Sequence, residues 1–128
     1  LGCAYPLALG AKLGAADRAV VALCGDGDFL YNAQEMATAV QYGIGAVAVV
    51  FNDNAYGNVL RAQLEQFGGR VLGTRLHNPD FVALAESFGV RATRAEGAAE
   101  LGAALSEPID ADGPVLIEVP VGEMERTY

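Results

Sequence analysis

Basic residues are scarce in this chain. Lys12 is the only lysine and His77 the only histidine, and 8 Lys and Arg stand against 16 Asp and Glu. The resulting net charge of −8 repels nucleic acid and anionic membrane surfaces. No nucleic acid and no membrane is therefore expected as a partner. An anionic ligand would need a cation or backbone amides to neutralise it. Long apolar runs are also missing. None approaches the roughly 18 residues of a membrane span, and no signal peptide is evident, so a reducing cytoplasm is the expected compartment. Only two cysteines occur, Cys3 and Cys24, without Cys-x-x-Cys spacing. They read as reduced packing residues in apolar surroundings rather than as a disulfide or zinc site. Aromatic residues make up 8% of a chain that is 52% hydrophobic over 128 residues, which suits one domain with a buried sheet under Ala-rich helices. The chain opens at Leu1 rather than Met, and we expect it to be cut from a longer protein.

Hydrophobic patterning then sets out the elements. Ala4 to Ala16 reads as a helix, with Pro6 tolerable in the first turn. Ala19 to Cys24 is a continuous apolar run, as in a central strand buried on both faces. From Asn32, residues Ala33, Met36, Ala37 and Val40 recur at helical spacing, and Gly43 is placed to stop that helix. Ala46 to Phe51 reads as a second buried strand ending at the turn-forming Asn52-Asp53-Asn54. Tyr56 to Phe67 predicts a helix and Arg70 to His77 a surface loop. Asn78 then reads as an N-cap with Pro79 at the first helical position, and Gly89 as the C-terminal stop. Val90 to Thr93 predicts a short strand, Ala98 to Leu105 a helix, and Val115 to Val119 a last strand after an Asp112-Gly113-Pro114 turn. Strands separated by helices imply parallel crossovers, hence an α/β layered sheet, and ligands in such sheets bind beyond the carboxyl ends of the strands.

Two acids stand at those carboxyl ends: Asp26 follows the first strand and Asp53 the second. Neighbouring strands lie about 5 Å apart, so the two carboxylates can converge, and converging carboxylates repel unless a cation lies between them. Magnesium suits such a place, because it takes hard oxygen ligands and bridges carboxylates to phosphates. Gly25 and Gly27 remove side-chain bulk and permit unusual dihedrals, so amides beside Asp26 can approach a phosphate. The plainer alternative is that Gly25-Asp26-Gly27 is a strand-end turn and that Asp53 caps the helix near Tyr56.

Gly25-Asp26-Gly27, a spacer, then Asn52-Asp53 resembles the Gly-Asp-Gly…Asn-Asn signature of thiamin diphosphate enzymes, in the diphosphate-binding domain of the acetolactate synthase and pyruvate oxidase superfamily. The similarity extends to Asp28 through Val40, and to Gly2, Pro6 and Gly10 before it, so that residues 1–128 are taken as one such domain with a three-layer α/β/α fold and a mostly parallel sheet. The resemblance implies that Asp26 and Asp53 are magnesium ligands through their side chains and Ala55 through its carbonyl. It also implies that Gly25, Asp26, Gly27 and Asp28 lie at the diphosphate, with Tyr56, Gly57 and Val59 beside the cofactor. The implied reaction is the making or breaking of carbon–carbon bonds next to a carbonyl of a 2-keto acid or related substrate, with the cofactor as electron sink. The implied partner is the pyrimidine-binding domain of another subunit, which supplies an activating glutamate, in a homodimer or homotetramer. The isolated chain is then expected to be inactive. Departures from the family pattern are Asp53 in place of the second Asn, and Asp28 where a small residue is common. Asp28 must point its charge away from a diphosphate. Asn58 and Ala62 replace the Met and aromatic residue typical of acetolactate synthases themselves.

Other readings are weaker. A dinucleotide-binding oxidoreductase would place a third glycine where Leu30 stands. A phosphoacceptor switch would need a lysine at a late strand end, far from Lys12. A non-catalytic binding module also stays open. His77, Arg61, Arg70 and Arg75 read as solvated surface groups, and Glu35 as a helix residue without a catalytic role.

Overall fold

The computed structural model describes residues 1–106 and 113–122. Four strands, β1 (Val21–Gly25), β2 (Val47–Asn52), β3 (Arg91–Arg94) and β4 (Val115–Pro120), form one sheet in the order β1-β2-β4-β3. Every pairing in it is parallel. The helices are α1 (Ala4–Gly14), α2 (Asp26–Phe29), α3 (Glu35–Gln41), α4 (Gly57–Gln66), α5 (Phe81–Ser87) and α6 (Ala98–Ser106). The expected α/β architecture, with helices over a parallel sheet, is what forms. No helix among the described residues is long and apolar enough to cross a membrane.

Alternation along the strands divides the core in two. Ala22, Cys24, Ala48, Val50 and Leu116 face one way and pack with Tyr5, Leu9, Phe29, Met36 and Phe81 from α1, α2, α3 and α5. Val47, Val49, Ile117 and Val119 face the other way and pack with Leu101, Ala104 and Leu105 of α6. Aromatic edges lock the first cluster: Phe29 lies 5.4 Å from Tyr5 and 6.1 Å from Phe81, ring centre to ring centre. Gly43 and Gly89 end α3 and α5 with φ of +61° and +82°, a conformation costly for residues with a Cβ. The next amides, of Ile44 and Val90, then turn back to the carbonyls of Ala39 and Ala85.

Four expectations are corrected. β1 is an edge strand rather than a central one, and Val21 and Leu23 on the α6 side are exposed, because α6 does not extend over it. The α3 pattern is shifted: Ala33, Met36 and Ala39 are buried, while Ala37 and Val40 face solvent. The N-cap of α5 is Asp80, whose carboxylate accepts the Val82 and Ala83 amides, so Asn78 and Pro79 precede the helix. Cys3 is exposed, and only Cys24 is a core residue. Residues 70–77 form the expected surface loop, anchored where Thr74 is buried and where the Tyr56 and Leu76 amides bond to the Thr74 and Asn54 carbonyls. Asp112 and residues 123–128 lie outside the described residues.

Two outcomes follow for the folded protein. Phe81→Ala removes a ring with no exposure and is expected to cost about 3–5 kcal/mol, whereas Arg91→Ala on an exposed strand position changes stability by at most about 0.5 kcal/mol. Urea unfolding measures both. Burial, and then the Asp28 carboxylate, push the Cys24 thiol up to about 12. A thiol reagent at pH 8 should therefore label Cys24 only after denaturation, and rapid native labelling would contradict this packing.

Candidate metal and diphosphate site

Register places the site. Gly25 pairs with Phe51, so the residues that leave β1 and β2 at their carboxyl ends emerge side by side. Asp26 opens α2 and is 2% exposed. Its Oδ1 accepts the Gly27 amide at 2.7 Å, and its Oδ2 accepts the Ala55 amide at 3.2 Å and the Asn78 Nδ2 at 2.6 Å. Asp53 Oδ1 accepts that same Ala55 amide at 3.0 Å. Convergence of the two carboxylates, expected from the sequence, is therefore observed. The N-cap of α4 is Tyr56, whose own side chain makes no cap hydrogen bond.

A cavity of about 610 Å³ opens over these groups, lined by Gly25, Asp26, Asp53, Ala55 and Gly57 and rimmed by Arg61, Glu65 and Arg75. A second opening of about 590 Å³ shares Gly25, Asp26, Ala55 and Gly57 and adds Gly27, Asp28, Tyr56 and Val59 with the apolar Leu7 and Leu23. All nine sequence-expected site residues thus line one or both openings. Glu35 lies elsewhere, bonded to Thr38, and His77 and Arg70 are exposed. Lys12 closes the end of α1 through the Ala16 and Arg18 carbonyls, away from the acids.

Gly27 and Gly57 act by size rather than by dihedral. Gly25 has φ −76° and ψ 161°, open to any residue, and Gly27 lies within α2; the expected unusual dihedrals are absent. A Cβ on Gly27 would collide with the Tyr56 ring, and one on Gly57 would come 2.7 Å from Asp53 Oδ2. Nothing lies within 4 Å of a Cβ built on Gly25. Tyr56, held against Gly27, has its phenol pKa raised by the neighbouring Tyr31 and then by burial. Asp28 lines the second opening, and its carboxylate accepts the Gly2 amide at 2.6 Å.

Behind Asp26 lies a polar chain that sequence patterning did not reveal. Asn78 Nδ2 also donates to Asn52 Oδ1 at 2.8 Å, and Asn52 Nδ2 donates to Glu118 Oε1 at 2.8 Å. Glu118, buried in β4, takes Arg94 at 2.9 and 2.8 Å, and Arg94 reaches Asp80 at 3.2 Å. Glu118 raises the Arg94 pKa, and the Ala83 amide, followed by Arg94, lowers that of Asp80. One signal for this chain was available: a glutamate inside the apolar Val115-Leu116-Ile117-Glu118-Val119 run must find a cation.

The donor set can be tested against a metal. Among the described residues no three His, Cys, Asp or Glu side chains gather. A cation here would find two hard carboxylates and complete its shell from carbonyl, water or phosphate oxygens, which suits magnesium and disfavours zinc.

Gly27→Ala is expected to lose about 1–3 kcal/mol through overpacking against Tyr56, while Gly25→Ala folds like the parent. Thermal unfolding without ligand distinguishes them, and equal midpoints would remove the steric account.

Comparison with known proteins bears on what the site serves. The family described as thiamine pyrophosphate enzyme, C-terminal TPP binding domain, matches residues 1–119; thiamine pyrophosphate is thiamin diphosphate. Acetolactate synthase of Bacillus subtilis is 40% identical over 121 residues, covering 94% of this chain and 21% of that protein. The probable acetolactate synthase large subunit of Methanococcus aeolicus is 36% identical over 122 residues, 94% of this chain and 20% of its own length. The large subunit from Pyropia yezoensis is 33% identical over 130 residues, 100% of this chain and 22% of its own. The chain thus spans about a fifth of the length of the curated relatives it matches. Magnesium is standard beside thiamin diphosphate in this family. The match over residues 1–119 shows that the chain belongs to the C-terminal cofactor-binding domain family of the thiamin diphosphate enzymes.

Proposed function

We propose that this chain, taken as one domain over residues 1–128, binds the diphosphate end of thiamin diphosphate through magnesium. Asp26 and Asp53 hold the ion with their side chains and Ala55 with its carbonyl. The amides around Gly27 and Asp28 receive the diphosphate, and Tyr56, Gly57 and Val59 border the thiazolium end. The observation that carries this reading is the convergence of the Asp26 and Asp53 carboxylates on one backbone N–H at the mouth of a cavity. Two carboxylates so placed repel each other, and a divalent cation relieves that repulsion while attracting phosphate. The collision a Cβ on Gly57 would make with Asp53 also fits a cradle kept clear for a ligand.

When bound, the cofactor supplies an electron sink for carbon–carbon bond cleavage or formation next to a carbonyl. The parent protein is read as an acetolactate synthase-like enzyme, a lyase or transferase acting on a 2-keto acid in the cytoplasm. This chain places the cofactor, and the Gly2 amide engages the Asp28 carboxylate beside the diphosphate position. The apolar Leu7, Leu23 and Val59 at the second opening favour a cover from elsewhere. We assign that cover to the pyrimidine-binding domain of a partner subunit, in a homodimer or homotetramer. Exposed charge-assisted contacts contribute only about 0–1 kcal/mol each, so the isolated chain is expected to bind the cofactor poorly and to show no turnover.

Calorimetry of the intact protein with thiamin diphosphate and magnesium tests the site. Asp26→Ala should lower metal affinity by more than about 100-fold, beyond the range seen when only a group behind a ligand is lost. Asp53→Asn should retain much of the binding, because it keeps a hard oxygen in place. Unchanged affinity in Asp26→Ala would remove the assignment.

A further inference from the structure

Asn78 lies 52 residues from Asp26 in sequence, yet it makes the shortest bond that Asp26 receives, 2.6 Å to Oδ2. Its amide is used unevenly. Both donations leave from Nδ2, to Asp26 and to Asn52, while Oδ1 is buried without a hydrogen-bond partner among the described residues. A buried acceptor left unsatisfied is unfavourable. It persists where something else fixes the orientation.

The fixing is traceable. Arg94 can only donate, so it commits Glu118 as an acceptor. Glu118 in turn can receive only the Nδ2 side of Asn52, which leaves Asn52 Oδ1 facing Asn78. Asn78 must therefore present Nδ2 to both neighbours, and it gives Asp26 a donor that cannot turn into an acceptor. The polarity of the chain runs from a guanidinium to a carboxylate without a free rotor.

We propose that Asn78 is a positioning residue for the metal site. Its oriented amide holds the Asp26 carboxylate in the rotamer that faces the cation, and Asn52, Glu118 and Arg94 hold Asn78. This rests on the reading of Asp26 as a metal ligand. Position 78 thereby ties the loop before α5 to the ion, a link that neither the βα turn after β1 nor the turn after β2 provides.

The test uses the intact protein with thiamin diphosphate and Mn²⁺ in place of magnesium, reading free Mn²⁺ and the bound spectrum by electron paramagnetic resonance. Asn78→Ala is expected to weaken Mn²⁺ binding about 10- to 100-fold, the range for removing a group that orients a ligand, and to change the bound line shape. Asn78→Ser, which keeps one short donor, should fall between Asn78→Ala and the parent. A purely structural residue would lower the thermal midpoint and leave affinity and line shape untouched, and that result would overturn the proposal. Loss of the folded circular dichroism spectrum in both variants would overturn it too, by making Asn78 a folding residue. Asp26→Ala separates the two levels. If it binds Mn²⁺ like the parent, the metal reading itself fails; if it does not bind while Asn78→Ala binds normally, only the positioning role is lost.

Discussion

One backbone amide, that of Ala55, donates to both Asp26 and Asp53. Two carboxylates that meet at one N–H repel each other, so the fold must hold them in place. Asp26 is held by its own helix start at Gly27 and by Asn78. The loop carrying Ala55 is pinned by the Tyr56 and Leu76 amides to residues of the 70–77 segment. Parallel register of β1 with β2 then makes the meeting of the two acids unavoidable. Much of the molecule can be read as the support for that meeting: the aromatic cluster under α2, the close fit of Tyr56 on Gly27, and the pairing of Arg94 in β3 with the buried Glu118 of β4.

That dependence explains which features were legible in the sequence. Apolar runs ending in Gly25-Asp26-Gly27 and Asn52-Asp53 carry the strand, its end and the acid in consecutive residues, so the site's two carboxylates could be located from local pattern alone. The resemblance to thiamin diphosphate enzymes rested on those same residues and on the helix after them, and the family match over residues 1–119 agrees with it. Gly43 and Gly89 likewise announced their helix stops, because a positive φ is a local demand.

What patterning could not reach was set by distant partners. Asn78-Pro79-Asp80 offers two capping residues, and local rules favour either. The choice falls to Asp80 because Arg94 lies beside it and because Asn78 is taken up by Asp26 and Asn52, contacts that span 14, 52 and 26 residues. The apolar run of β1 suggested burial on both faces, but hydrophobicity records what a strand can bury and not which helix reaches it. For the same reason the helix spacing from Asn32 marked Ala37 and Val40 for the core along with Ala33 and Met36, whereas the fold buries Ala39 with Ala33 and Met36 instead.

The exposed side of β1 has a meaning of its own. A strand at the end of a sheet, with Val21 and Leu23 bare, offers unpaired N–H and C=O groups as a template for a further strand, and an uncovered apolar edge is where sheets zip together between molecules. The segment that leads to Asp26 is therefore also one open to aggregation. Any polypeptide that seats beside β1 would act as a guard on solubility as well as a wall of the opening lined by Leu23, Gly25 and Asp26.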